Sequence, residues 1–312
     1  MKAVFLDTAT FSIDLPTPNG IDTMATYKHT PNDPTIIIER CQDCDIIITN
    51  KVLLTREVLE KLPSLKLIHI TATGLNNVDL QACSELGITV KNVAGYSVES
   101  VPEHTFMLIL TAMRAGIYYH NRVGDDWTAD GKFCLVEMPI LDLAGKTLGI
   151  IGAGMLGKKV GQIAAAFGMN VLYAERQGQA PRDESYTDFE TVLNTSDVLS
   201  LHCALTDETH HLINETTLKK MTKTPLIVNM ARGAVVKTDD IVKALNDEVI
   251  LGYASDVFET EPLLDADLLA LKTHPRVFFT PHNAWASENA QKKLWGILCT
   301  QVDDFVHHTK HA

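Results

Sequence analysis

The chain has 312 residues, a net charge of −12 and 46% hydrophobic residues, enough for two globular domains with their own cores. The acidic balance argues against nucleic acid or an anionic membrane as a partner, and no apolar run approaches the ~20 residues that span a bilayer. The opening MKAVFLDTATF reaches Asp7 too early for a secretory signal, and six cysteines without framework spacing point to reduced thiols in the cytoplasm.

In chain order, the first third offers the strand-like runs KAVFLD, CDIIITN, LKLIHI and GITVKN, with a poorly defined middle and a Pro/Asn-rich surface loop over 15–23. Cys41 and Cys44 form a CxxC with no second pair or histidine cluster beside it, so two half-buried thiols are expected rather than zinc, and no metal is expected elsewhere. Residues 98–122 read as one long helix, with Pro102 in its first turn where a missing N–H costs little, and GDDWTADGKF after it as loop. From residue 146, six apolar runs alternate with helical patterns: 147–151, 170–174, 197–201, 225–229, 250–255 and 276–280. Their β-branched, non-alternating character is that of parallel strands buried on both faces. The segment from Ser287 is helical and is expected to pack back on the first domain, with His307, His308 and His311 in a solvated tail.

The fold class is therefore α/β, with two doubly wound parallel-sheet domains. A Rossmann dinucleotide-binding domain, 98–285, is inserted in a flavodoxin-like substrate domain made of 1–97 and 286–312.

GIIGAGMLG carries Gly152-x-Gly154-x-x-Gly157 directly after a strand, with Met155 and Leu156 opening a helix. Glycines at that spacing allow a tight turn, close approach of backbone to a pyrophosphate and close helix–strand packing. Glu175 ends the next strand, where a carboxylate binds ribose hydroxyls and repels a 2′-phosphate, so NAD is expected over NADP, with Arg176 beside it leaving that choice open. In an open α/β sheet ligands bind outside the carboxyl ends of the strands. There Arg232 follows PLIVNMA, Asp256 and Glu261 follow ILGYAS, and His282 follows RVFFTP. Each alone reads equally well as a turn or surface residue. Together they place a cation, an acid/base and a carboxylate beside the dinucleotide.

The stretches TATGLNNVDL, GYSVESVPEHTF, GIIGAGMLG, SLHCALTDET, NMARGAVV, ASDVFETEP and TPHNAWAS resemble, in this order and spacing and over almost the whole chain, the D-2-hydroxyacid dehydrogenase family, and most closely its glycerate dehydrogenase (hydroxypyruvate reductase) branch. The resemblance implies Arg232, Glu261 and His282 as the catalytic residues. It also implies Thr73 and Gly74 as backbone ligands of the substrate carboxylate, Asp256 near the nicotinamide amide, and Thr105, His202, Thr209 and Ala231 along the cofactor. Pro102, Ala204 and Met230 depart from the usual pattern without removing a charged group. A homodimer through the helix after residue 97 and the following loop is implied in the same way.

The chemistry so implied is reversible hydride transfer between NAD(H) and a small D-2-hydroxy acid/2-keto acid pair. Arg232 would bind the carboxylate and polarise the carbonyl, and His282 would exchange the proton. Glu261, as a neighbouring carboxylate, would favour the imidazolium. D-Glycerate/hydroxypyruvate, with glyoxylate, is the expected pair, and Trp285, three residues past the acid/base, would limit the substrate side chain or pack in the domain interface. A phosphoglycerate dehydrogenase-type enzyme is an alternative with only Lys51 as an evident phosphate ligand. A broad 2-keto acid reductase is another. An NAD-sensing corepressor-like protein is the alternative of a different class.

Overall fold

A computed structural model describes residues 1–124 and 126–311. The chain divides into two compact units, Met1–Ser97 with Ala286–Ala312, and Val98–Trp285. Among the described residues the first unit holds five parallel strands, β1 (Lys2–Phe5), β2 (Thr23–Thr26), β3 (Ile46–Thr49), β4 (Leu67–Ile70) and β5 (Thr89–Asn92), in the order β2-β1-β3-β4-β5. This is the flavodoxin-like order. The central β3 and β4 are buried along their whole length, whereas β2 at one edge is largely exposed. Each buried Ile or Leu of these strands contributes about 1.5–3 kcal/mol.

The 24-residue helix Glu288–His311 completes the first unit. Its Trp295 stacks on Phe5 of β1 with ring centroids 5.5 Å apart, and its Asp303 accepts the Gly20 N–H at 2.7 Å. The helix carries His307 and His308 in regular turns rather than in a frayed tail, because the i–4 carbonyl ladder continues to the end, and His308 Nδ1 lies 2.6 Å from the Asp304 carbonyl. The His311 side chain lies outside the described part. Cys41 and Cys44 are fully buried rather than half-buried. A hydrogen bond with Cys44, together with burial, holds the Cys41 thiol well above the usual range.

The second unit holds seven described parallel strands, β6 (Thr147–Ile151), β7 (Asn170–Ala174), β8 (Tyr186–Thr187), β9 (Val198–Leu201), β10 (Leu226–Asn229), β11 (Gly252–Ser255) and β12 (Val277–Phe279). Their order is β12-β11-β10-β9-β6-β7-β8, so the winding reverses between β6 and β9. The two-residue β8 is an addition that no apolar run foretold. Two hydrophobic cores cover the faces of this sheet, one around Phe189, Leu199, Ile227 and Tyr253, the other around Phe106, Ile109, Ile150 and Val228.

The segment expected as one helix over 98–122 is two helices, Ser100–Met113 and Gly116–Arg122. Ala115 between them is left-handed, with φ 48°. The break has a physical cause. Buried Arg276 donates from Nη1 to the carbonyls of Ala112 and Met113 at 2.8 and 3.0 Å, and from Nη2 to that of Pro139 at 2.5 Å. A guanidinium at a helix C-terminus satisfies the orphan carbonyls and complements the dipole. The expected loop after it contains a short helix, Asp126–Asp130, while Asp125 lies outside the described residues.

His69 on β4 is fully buried, with Nε2 2.8 Å from Gln301 Oε1 of the last helix. Burial, with some help from Lys91, pushes its imidazole down to about 4. The unfolded chain then binds the proton more readily than the folded one between that value and about 6.5. The stability this group contributes is complete above pH ~6.5 and is lost as pH falls towards 4, on the order of 3 kcal/mol. Denaturant titrations of wild type and His69→Gln at pH 7 and pH 4.5 should therefore converge at the lower pH. Parallel pH dependences in the two proteins would exclude this origin.

Candidate active site

The reversal of winding between β6 and β9 opens a crevice at the carboxyl ends of the strands, and the glycine loop lies there. Gly152 has φ 101°, and a Cβ on it would stand 2.5 Å from the Cys203 nitrogen and 2.6 Å from the His202 carbonyl carbon. The loop after β6 thus packs backbone to backbone on the loop after β9. A Cβ on Gly157 would meet the Gly152 oxygen at 2.1 Å, whereas one on Gly154 would meet nothing within 4 Å. The open side of Gly154 faces the start of the helix Met155–Ala166, whose N-cap makes no side-chain hydrogen bond. Free N–H groups at the end of a three-turn helix, with a clear approach, fit a pyrophosphate. Met155 is exposed here, and Leu156 turns to the core.

The other cofactor-side candidates divide. His202 at the end of β9 is fixed by a 2.8 Å contact from Nε2 to Ser200 Oγ, and burial pushes it down to about 4, so it is neutral. Its Nδ1 is buried without a partner, an unsatisfied polar atom beside the glycine loop that fits a site made to receive a ligand. Thr209 accepts the Thr206 N–H and donates to the Ala204 carbonyl, both at 2.7 Å, and so stitches the loop that follows. Ala231 is buried, with its N–H on Asn229 Oδ1. Thr105 is fully buried, and its hydroxyl donates to the Val101 carbonyl at 2.7 Å within its helix.

Glu175 does stand at the end of β7, but its carboxylate is already engaged. Arg182 donates from Nε to Oε2 at 2.7 Å and from Nη2 to Oε1 at 2.5 Å, and the backbone N–H groups of Arg176 and Arg182 donate at 2.8 and 3.1 Å. These bonds, Arg182 first, hold the carboxyl down to about 2. Nothing in sequence spacing marks Arg182, since the loop that returns it to β7 has no periodicity.

On the far half of the sheet, Arg232, Glu261 and His282 follow the neighbouring strands β10, β11 and β12. His282 Nδ1 lies 2.7 Å from Glu261 Oε2, and Glu261 Oε1 also accepts the Phe258 N–H at 3.0 Å. Both side chains are about one-third exposed, at 29% and 35%. Solvent thus reaches the pair. Arg232 is exposed, with its backbone held by Asn229 Nδ2. Gly233 beside it allows no side chain, since a Cβ would stand 1.8 Å from the Phe258 carbonyl carbon. That contact draws the arginine loop against the loop carrying Glu261.

His282 adopts a left-handed backbone, φ 52°, which costs roughly 1–2 kcal/mol in a non-glycine residue. Asp256, 2% exposed, supports it. Its carboxylate accepts the Thr280 hydroxyl at 2.6 Å and the N–H groups of Asn283 and Ala284, each at 3.0 Å. His104 Nε2 bonds the same Thr280 hydroxyl at 2.9 Å. The Trp285 indole N–H donates to the His282 carbonyl at 3.1 Å. Asp256 therefore faces the His282 turn, a role the sequence did not disclose. Thr73 and Gly74 follow β4 in the other unit, where Thr73 is exposed and its carbonyl accepts from Asn92. Among the described residues no group of histidine, cysteine or carboxylate side chains could hold a metal ion.

Gly157→Ala should push the helix start away from Gly152 and weaken NADH binding by about tenfold or more. Fluorescence titration of NADH measures this directly, and an unchanged affinity would place the pyrophosphate elsewhere.

Residues 106–284 match the family model of the D-isomer specific 2-hydroxyacid dehydrogenase, NAD binding domain. The chain is 39% identical over 306 residues to the glycerate dehydrogenase of Methylorubrum extorquens, covering 98% of this chain and 96% of that one. It is 35% identical over 276 residues to the hydroxypyruvate reductase of Blautia hydrogenotrophica, covering 86% and 84%. The D-lactate dehydrogenase of Aquifex aeolicus, solved with NAD and lactic acid, is similar at TM-score 0.77 and 29% identity over 98% of this chain and 96% of that one. A glycine loop at the switch point, polar groups gathered on one rim and this extent of similarity lead to one conclusion: the chain belongs to the D-isomer specific 2-hydroxyacid dehydrogenase family, as an NAD-dependent enzyme that interconverts 2-hydroxy acids and 2-keto acids.

Proposed function

We propose that the enzyme reduces hydroxypyruvate to D-glycerate, with glyoxylate as a second substrate, and that Arg232, Glu261 and His282 carry the chemistry. The observation behind this reading is the 2.7 Å pair of His282 Nδ1 and Glu261 Oε2, on loops that follow β12 and β11, beside β10, which Arg232 follows. With Nδ1 committed to the carboxylate, Nε2 is the nitrogen left to hold and deliver a proton. Glu261 fixes the ring's orientation through that contact. When bound, the nicotinamide supplies or takes the hydride at the carbonyl carbon. His282 then gives its proton to the carbonyl oxygen as negative charge develops there, and takes it back in the reverse direction. Arg232 binds the substrate carboxylate and polarises the carbonyl through its planar, permanently charged guanidinium. The backbone N–H groups of Thr73 and Gly74 are further proposed ligands of a carboxylate.

The relatives named glycerate dehydrogenase and hydroxypyruvate reductase support the choice of substrate. We place Trp285 at the substrate's side chain, where its bulk limits the acids accepted.

We also propose a homodimer through the segment that follows the paired helices. Val123, Trp127, Phe133, Val136 and Ile140 all present apolar surface there, Phe133 at 96% and Val136 at 72% exposure. Side chains of that kind, crowded into one stretch, suit burial against a second copy.

NADH oxidation with hydroxypyruvate, glyoxylate, pyruvate and 3-phosphohydroxypyruvate tests the substrate. Hydroxypyruvate should be preferred, and Trp285→Ser should shift turnover towards longer 2-keto acids. Preference for the phosphorylated acid would overturn the assignment. His282→Asn should lower the rate by about 10²–10⁴-fold with NADH binding intact, and wild-type turnover in that variant would remove His282 from the mechanism. Sedimentation should give twice the chain mass of 34.4 kDa, falling to one chain in a Phe133→Asp/Val136→Asp variant. A wild-type monomer would exclude the dimer.

A further inference from the structure

A carboxylate at the end of the second Rossmann strand discriminates between dinucleotides in two ways. It accepts hydrogen bonds from the ribose diol, and its charge repels a 2′-phosphate. Both effects require free oxygens and an uncompensated charge, and Glu175 has neither. Each of its oxygens accepts two hydrogen bonds, Oε1 from Arg176 N and Arg182 Nη2, and Oε2 from Arg182 N and Nε. Its side chain is 3% exposed, while that of Arg182 is 49% exposed. The outer surface of the pair is therefore the guanidinium. It is fixed from a second side by the Tyr186 ring, 4.3 Å from the guanidinium carbon. Two of the five guanidinium N–H groups point to Glu175, and the remainder are left for another acceptor. Arg176 next to it is exposed and has no ion pair among the described residues. Glu208, on the loop after β9, has its carboxyl lowered chiefly by a hydrogen bond from Thr206 and in small part by Arg176.

We infer that Arg182 neutralises the acidic residue of the adenosine-ribose subsite, and that this subsite, facing outward with Arg182 and Arg176, accepts a 2′-phosphate, so that the enzyme binds NADPH as well as NADH. The inference rests on reading the end of β7 as the ribose subsite. Arg182 is a specificity-determining residue in this scheme. A planar fork held against a carboxylate and an aromatic ring is pre-organised for a phosphate, and the phosphate need not displace the Glu175 pair to bind it.

Fluorescence titrations of NADH and NADPH without substrate test this in wild type, Arg182→Ala, Arg182→Gln and Glu175→Gln. The two dissociation constants of the wild type should lie within about tenfold of each other. Either Arg182 variant frees a carboxylate towards the subsite, so NADPH should weaken by about tenfold or more while NADH holds or tightens. Arg182→Gln repeats the readout with a side chain that still covers Tyr186. Glu175→Gln should leave NADPH bound at least as tightly as in wild type. A wild type that binds NADPH more than about 100-fold more weakly than NADH, with a gap that Glu175→Gln closes and Arg182→Ala does not widen, would overturn the role of Arg182 while keeping the ribose reading. If no variant moves either affinity, the ribose reading itself fails and the inference falls with it.

Discussion

The carboxylate of Asp256 holds the His282 edge of the seven-stranded sheet in shape. It is nearly inaccessible, and the charge it carries is tolerable in the interior only because a hydroxyl and two backbone N–H groups converge on it. Those N–H groups belong to Asn283 and Ala284, the residues directly after His282. The interaction therefore sets the course of the chain as it leaves β12 and makes the left-handed backbone of His282 bearable. His104 and Trp285 add a contact on either side of the same turn, one through Thr280 and one through the His282 carbonyl. Loss of this carboxylate would release the turn, and the imidazole would no longer meet Glu261 at hydrogen-bond distance.

A similar principle recurs across the unit that contains the glycine loop. Arg276 is buried among helix-terminal carbonyls and breaks what sequence alone presents as a continuous helix. Glu175 is covered by the arginine that follows it in the next loop. In each case a charged side chain that looks free in the sequence is satisfied by a partner that another segment brings to it. Arg232 and the His282–Glu261 pair keep solvent-accessible surface, and they are the residues proposed to meet the substrate. On this edge the charges that shape the backbone are buried, and solvent-accessible charges stand beside them.

Much of the fold was legible because parallel strands buried on both faces leave a plain signature. The runs at β6, β7, β9, β10, β11 and β12 were each visible as short β-branched stretches, and the glycine spacing located the turn after β6. The edge strands β2 and β8 carry no apolar run to read, since one is exposed along most of its length and the other is two residues long. The helix ending at Met113 was misread for a related reason. Its sequence continues with helix-compatible residues, and the stop comes from Arg276, more than 160 positions away in the chain.

By itself the sequence determined the order of strands and helices, the glycine loop, and which residues follow which strand end. Those are local matters of hydrophobic pattern and backbone freedom, and strand ends gather on one edge whenever the strands are parallel. Only the tertiary structure decided which charged groups are still available there. Hydrogen bonds between side chains and distant backbone have no periodicity, and their partners are chosen by packing. Glu175 and Asp256 both follow their strand ends as the sequence indicates, the first with a role read from its place after the glycine loop and the second with one implied by the resemblance. The fold closed Arg182 over the first and turned the second inward to the His282 turn, because a buried carboxylate takes the nearest donors that packing supplies.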